Sequence, residues 1–366
     1  MKLPPGFKSA DPNKVCRLRK SLYGLKQAPR CWFLKLSTAL RELGFTQSYQ
    51  DYSLFSLRRG TLILHVLVYV DDFVVAGNNL QAINEFKVQV NKRFHMKDLG
   101  KLKYFLGIEV SRVPDGFCLS QRKYALDILS ETGLLGAKPS PRYRHLVGWF
   151  IYLTITRPDL SYAVHILFQF MKAPLVDHWE AALCLVRYLK GSPAQGIFLR
   201  SDSELHLSAY CDSDYNGCPL TYRSLSAYVV YLGDSPISWK TKKQKTVSSS
   251  SAEAEYRAMA YTLKEIKWLR ALMRTLGVVH SHPIDLHCDS QAVIYITANL
   301  VFHERTKHIE SDCHQVQDVV QAKLITTHHI STKDQLVAEI LTKALPELTF
   351  ARLMSTFGVR HYVPPT

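Results

Sequence analysis

The sequence has no CxxC pair and no Cys/His spacing of the zinc-knuckle kind. Its eight cysteines are scattered, and the closest two, Cys211 and Cys218, stand too far apart to form half of such a site. That pattern excludes a disulfide-stapled secreted scaffold and leaves reduced thiols, which predicts an intracellular protein of the nucleus or cytoplasm. No run of eighteen uninterrupted apolar residues occurs, so no membrane helix is expected. The N-terminus is Pro-rich and polar, which predicts no secretory signal. No Ser-His-Asp or Cys-His arrangement points to a covalent nucleophile.

Negative charge is also scarce. Against 46 Lys and Arg there are 31 Asp and Glu, a net charge of +15, which favours a polyanionic partner or an acidic surface. The excess is uneven: residues 1–140 carry 22 basic side chains against 11 acidic, and the remainder 24 against 20. A nucleic-acid channel in the first part would account for it, as would a merely soluble basic surface. Apolar residues make up 47% of the 366, enough for two or three domains with real cores.

What is present begins with the run Leu62 to Gly77, apolar apart from two adjacent carboxylates, Asp71 and Asp72. A stretch so rich in Val, Leu and Tyr reads as buried sheet. Isolated carboxylates are costly to bury, so the pair predicts a tight turn between strands Leu62–Val70 and Phe73–Ala76. Two acids at a rigid tip can seat divalent cations, which prefer hard oxygen ligands; an ordinary Asp-Asp turn fits those four residues equally well.

Three segments narrow the choice. Tyr69-Val70-Asp71-Asp72 resembles the YxDD box of reverse transcriptases. Ser21 to Trp32 resembles the SLYGLKQAPRxW signature of copia-type retrotransposon polymerases, and Lys97 to Glu109 the DLGxLxYFLGIE segment of the same family, in the same order and spacing. The resemblance implies a reverse-transcriptase palm, with Gln27 and Arg30 where template and nucleotide contacts are made and Asp71 and Asp72 as metal ligands. In the family, a further metal-binding aspartate lies ahead of the point where this chain starts, so polymerase activity is expected to be impaired. A helix over Pro29–Leu43, closed by Gly44, is predicted, followed by helices over Leu80–Phe94 and Gln121–Thr132.

Lys138-Pro139-Ser140-Pro141 is a cluster of helix breakers and a boundary candidate. Beyond it, Tyr143–Met171 and His178–Lys190 are expected as a helical connector, with Trp149 and Trp179 in its core. From Glu204 the pattern becomes strand (Glu204–Tyr210), strand (Ser226–Leu232), strand (Pro236–Thr241), helix (Ser250–Leu276), strand (Ile284–Cys288), two helices, strand (Lys323–His329) and helix (Asp334–Leu345). Such a succession suggests a mixed sheet with helices on its faces. The fold class expected is thus mixed α/β: a partial palm over 1–137, a connector over 138–200, a third domain over 204–345 and a tail over 346–366.

The segments around Asp212, Glu255, Asp289 and Glu339 resemble the RNase H domain that follows copia-type polymerases. That likeness implies four converging acids holding two Mg²⁺ or Mn²⁺ ions about 3.5–4 Å apart, which activate a water and stabilise the leaving oxygen. Glu253 competes with Glu255; Ala258 three residues on, as in related domains, favours Glu255 and leaves Glu253 as an N-terminal helix charge. Asp289 also suits a helix N-cap. Glu339 stands where the family has aspartate, and one extra methylene moves its carboxylate. His328 and His329 are equal candidates for a histidine that aids product release. Lys240, Lys242, Lys243 and Lys245 form a basic run that could follow a hybrid backbone through its phosphates, or be a solvated loop. The functional expectation is hydrolysis of RNA in RNA/DNA hybrids; the alternative is a non-catalytic nucleic-acid-binding relic.

Overall fold

A computed structural model describes residues 5–7, 11, 13, 15–17, 24–70, 72–132, 139–298, 310–331 and 337–361. The chain divides into two units, Met1–Gly100 and Lys101–Thr366. The division falls ahead of the Pro-rich cluster near 138, where the composition shift had suggested a boundary.

In the first unit, helix α1 (Ala28–Glu42) carries Pro29 in its first turn, where a missing N–H costs little, and ends before Gly44 at φ +93°. Strands β1 (Thr46–Gln47), β2 (Leu54–Arg59), β3 (Leu62–Tyr69) and β4 (Asp72–Gly77) form an antiparallel sheet in that order. Along β3 the alternation decides the packing. Leu64, Val66 and Val68 are buried in one cluster with Leu36 and Leu40 of α1 and Phe86 and Val90 of α2 (Leu80–Phe94). Ile63, His65 and Leu67 between them are only half-buried. The run expected to be wholly buried is therefore a one-sided antiparallel core.

In the second unit, β5 (Tyr104–Phe105) and β6 (Ile108–Val113) join through Leu106 and Gly107, at φ +48° and +75°. A tight turn of this kind needs both central residues in the left-handed region, which explains the glycine. The Tyr152 hydroxyl donates to the Leu106 carbonyl. The Lys123 amide donates to Glu109 Oε1 at 2.7 Å. The YFLGIE run thus builds a hairpin and its anchors. After β7 (Gly116–Ser120) come helices α3 (Arg122–Thr132), α4 (Pro139–Leu153), α5 (Ser161–Phe168) and α6 (Val176–Gly191), then β8 (Gln195–Arg200). The helices share a core that includes Ile128, Phe150, Val164 and Leu189, with Trp149 and Trp179 packed on it.

A buried ion pair pins this layer. Arg157 donates to Asp159 Oδ2 at 2.7 Å and to the Ser192 carbonyl at 2.7 Å, and the Tyr188 hydroxyl reaches Asp159 Oδ2 at 2.9 Å. Neither ionic side chain is more than 1% exposed.

The remaining elements are β9 (Leu207–Asp214), β10 (Leu225–Leu232), β11 (Ser235–Lys243), α7 (Ser251–Leu276), β12 (Ile284–Cys288), α8 (Gln291–Ala298), α9 (Glu310–Gln321), β13 (Ile325–His329), a 3₁₀ turn (Val337–Leu341), α10 (Glu347–Phe357) and β14 (Val359–His361). They build a sheet of order β11-β10-β9-β12-β13, antiparallel over the first three strands and parallel over the last three. Helices α7, α8 and α9 cover one face, and the 3₁₀ turn with α10 covers the other. This is the mixed sheet between helices that the succession of elements suggested.

Several boundaries move. The strand expected over Glu204–Tyr210 starts at Leu207 and runs on through Asp212 to Asp214. The helix expected over Asp334–Leu345 is a 3₁₀ turn among the described residues, with 332–336 outside them. The expected tail is structured: Leu353, Met354, Phe357 and Val359 are buried, and β14 pairs with β8, completing a sheet of order β14-β8-β7-β6-β5. No helix among the described residues is long and apolar enough to cross a membrane.

Replacing Asp159 with Ala leaves the Arg157 guanidinium buried without its counter-ion. The expected loss is about 3–5 kcal/mol of stability, read as a lower urea midpoint in equilibrium unfolding.

Candidate metal centre

The site arises from strand alternation. β9 and β12 lie side by side and parallel, with Asp285, Leu286 and His287 opposite Ser208, Ala209 and Tyr210. One register step further, Cys288 comes level with Cys211. Both cysteines lie in the cluster under α7. Asp212, next along β9, points the other way. Its Oδ2 accepts from the Thr342 hydroxyl, just past the 3₁₀ turn. Asp289 follows β12 directly, where the strand no longer assigns it to either face.

From the helix side comes Glu255. Ser250 caps α7, accepting from the Glu253 amide at 3.1 Å. Glu253 accepts from the Ser249 amide and pairs with Arg257 at 2.6 Å. It is thus an N-terminal helix charge with its own partners. Glu255, two residues on, turns inward. Its Oε1 accepts from the Ser213 amide at 3.1 Å, and Oε2 is buried with no hydrogen-bond partner among the described residues. From the opposite face comes Glu339, on the 3₁₀ turn rather than on a long helix.

Ligand atoms of Glu255, Cys288 and Asp289 lie within 4.8 Å of one another, as do those of Asp212, Asp289 and Glu339. The four acids named from the sequence therefore fall into two overlapping sets that share Asp289. The extra methylene of Glu339 does not carry its carboxylate away. Burial, then the charges of Asp212, Cys288 and Asp289, pushes the Glu255 carboxyl well up. Asp212 is raised as well, burial outweighing the pull of Lys343 and Thr342.

Lys343 had been given no role. Its Nζ lies 3.1 Å from Glu339 Oε1 and 3.4 Å from Asp212 Oδ1. Burial opposes its charge, yet Asp212 and Glu339 hold the ammonium above its ordinary value. Cys288 was also passed over, although its place just before Asp289 at a strand end was a signal. The N-cap of α8 is not Asp289: the Val293 amide donates to Ser290 Oγ instead. The two histidine candidates separate. His328 Nε2 pairs with Asp285 Oδ1 at 2.8 Å, whereas His329 Nε2 lies 3.1 Å from the Asp289 carbonyl.

Buried, crowded carboxylates with an unpartnered oxygen fit a divalent cation. Hard cations take several carboxylate oxygens, and positive charge between the acids offsets their mutual repulsion.

The other expected contacts are more dispersed. Lys240, Lys242 and Lys243 belong to edge strand β11, not to a loop after it. Lys240, Lys242 and Lys245 are exposed, with Lys242 Nζ 5.0 Å above the Tyr261 ring. Lys243 leaves the expected phosphate-tracking row: its Nζ donates to Gln169 Oε1 and approaches Cys218 Sγ, each at 2.7 Å.

In the first unit, Gln27 caps α1 without a side-chain bond and Arg30 lies exposed in its first turn. Trp32 packs on Phe73 at 6.0 Å between ring centroids, tying the α1 signature to the hairpin. Tyr69 pairs with Asp72 across the hairpin. Asp72 is thus the first strand residue, and Asp71 lies outside the described residues. Val70 stands at φ +47°, a strained conformation for a β-branched residue and of the kind that collects at functional tips.

The family described as reverse transcriptase (RNA-dependent DNA polymerase) matches residues 1–142. A retrovirus-related Pol polyprotein from transposon RE2 of Arabidopsis thaliana is 46% identical over 388 residues, covering 100% of this chain and 26% of the relative. A putative transposon Ty5-1 protein of Saccharomyces cerevisiae is 32% identical over 291 residues, 73% of this chain and 94% of that protein. Among solved structures, a foamy viral protease-reverse transcriptase in complex with dsDNA has a TM-score of 0.53 at 12% identity, covering 85% of this chain and 60% of that one. At that identity the likeness speaks for the fold. The chain spans about a quarter of the length of the RE2 polyprotein.

Glu255→Gln exchanges the unpartnered oxygen for an amide that can donate to the surrounding acids. Thermal melts in EDTA are expected to rise by about 2–4 °C, the shift that roughly 1 kcal/mol gives at this size. The upward shift that Mn²⁺ gives the parent protein is expected to shrink or vanish in this variant.

Proposed function

Because the chain belongs to the copia-type, retrovirus-related Pol polyproteins of transposons, we propose that its second unit cuts the RNA strand of RNA/DNA hybrids in a divalent-cation-dependent hydrolysis. The observation that supports this reading is the pair of overlapping carboxylate sets with Asp289 in common, one of them holding the unpartnered Glu255 oxygen.

Asp212, Glu255, Asp289 and Glu339 would hold Mg²⁺ or Mn²⁺. Such cations, when bound, lower the pKa of a water and stabilise the leaving oxygen of a phosphodiester. The chain's own residues do the rest. β9 carries Asp212 and the end of β12 sets Asp289 beside it, and the Ser213 amide fixes one oxygen of Glu255. Thr342 orients Asp212. Lys343 places positive charge beside Asp212 and Glu339 and so offsets part of their mutual repulsion. His329, held at the Asp289 carbonyl, is the better placed of the two histidines to meet a leaving product. Recognition of the hybrid would rest on backbone shape and 2′-hydroxyls rather than base sequence, with Lys240, Lys242 and Lys245 on phosphates. In the first unit, Asp71 and Asp72 are assigned as cation ligands of RNA-directed DNA synthesis, beside Gln27 and Arg30 as template contacts.

The test is a labelled hybrid incubated with the purified chain and Mn²⁺ or Mg²⁺. The RNA strand should shorten while the DNA strand stays whole. Outer partners of metal ligands are worth 10–100-fold, so Asp289→Asn, which removes a shared ligand, should cost more than about 100-fold. Glu339→Asp should stay within about 10-fold of the parent, and Glu339→Gln should fall further. Salt-sensitive hybrid binding without cleavage would favour the non-catalytic alternative and sink this one.

A further inference from the structure

The Glu255 set differs in kind from its neighbour, because one of its three ligands is sulfur. Resting on the reading of these acids as cation ligands, we propose that Glu255, Cys288 and Asp289 form a mixed thiolate–carboxylate site for soft divalent cations such as Cd²⁺ and Zn²⁺, and that filling it antagonises hard-cation binding at the shared Asp289.

Three observations carry this. The Sγ of Cys288 and one carboxylate oxygen each of Glu255 and Asp289 lie within 4.8 Å of one another, a separation that a single small ion can bridge. Cys288 is fully buried and Glu255 is 7% exposed, with an oxygen that has no partner among the described residues. That acceptor is held in place and already stripped of water. A second sulfur, Cys211, stands level with Cys288 on the neighbouring strand, so the ground beneath the set is soft and apolar.

Ligand chemistry sets the preference. Thiolate selects soft and borderline ions, whereas Mg²⁺ wants an octahedron of oxygens and keeps several waters. A dry set of two carboxylates and one sulfur suits the lower coordination number of zinc-like ions. Binding breaks the Cys288 S–H bond and the O–H bond of the Glu255 carboxyl that burial holds protonated, forms one metal–sulfur and one metal–oxygen bond in their place and passes both protons to solvent, with no change in oxidation state. Asp289 then serves the soft ion and is withdrawn from Asp212 and Glu339, which weakens the second set.

The experiment is a Cd²⁺ titration of the purified chain, with a phosphine reductant, followed in the ultraviolet thiolate-to-cadmium charge-transfer band. The first equivalent should build a saturable band and release protons, that of the Cys288 thiol among them, and Mn²⁺ affinity measured by calorimetry should drop once Cd²⁺ is present. Cys288→Ser should lose this component, while the exposed Cys31 and Cys184 contribute equally to both proteins and cancel. Retention of Mn²⁺ binding by Cys288→Ser within about 3-fold would show that the fold and the hard-cation ligands survive. Glu255→Gln should weaken Cd²⁺ by about 10-fold or more, in the range of ligand-shell losses; it decides the matter if Cys288→Ser does not fold. Absence of the band in the parent, or a band of full strength and affinity in both variants, overturns the proposal. The readout needs no hybrid, so failure of strand cleavage leaves it standing, and failure of the band leaves the cleavage reading standing.

Discussion

Like charges crowded out of water govern the second unit. Asp212 is wholly buried, Glu255 and Glu339 nearly so, and Asp289 lies between them. No folded chain gathers such groups unless something offsets both desolvation and mutual repulsion. Here the offset within the chain is partial. Lys343 and Thr342 serve Asp212, Lys343 serves Glu339, and a single amide serves Glu255. The oxygen left over on Glu255 is the mark of a site shaped for positive charge from outside.

The geometry follows from the period of two in a strand. Cys211 and Asp212 are neighbours in sequence and face opposite layers of the sheet. One layer is α7, which brings Glu255; the other is the 3₁₀ turn with α10, which brings Glu339. Asp289 stands past the last residue of β12 and reaches both. Two overlapping sets are the natural result, one with sulfur from the inner face and one of oxygen alone. The C-terminal elements matter to this layout, because Phe357 and Val359 help bury the layer on which Glu339 sits, and β14 ties that layer to β8.

Much of this was legible from the residues. The 26-residue helix α7 announced itself by apolar spacing from Met259 to Met273 and by Ser250 at its start, and β12 was delimited by its own apolar run. All four acids were named. Less legible were elements whose form depends on what they pack against. The turn carrying Glu339 is too short to show a period. The lysines of β11 look like a solvated run until the strand's alternation turns Lys243 inward to Gln169. Residues 346–366 seemed a tail because a three-residue strand has no signature apart from its partner.

The sequence by itself pointed to the family, to most of the elements and to the acids that come together, because short motifs and periodicities are local properties of the chain. The tertiary structure alone decided which atoms meet: Cys288 with Glu255, Lys343 with Asp212, one acid shared by two sets. Those pairings join residues up to 131 positions apart. They depend on the register of β9 against β12 and on the two layers packed across that sheet, and neither is encoded in any single stretch.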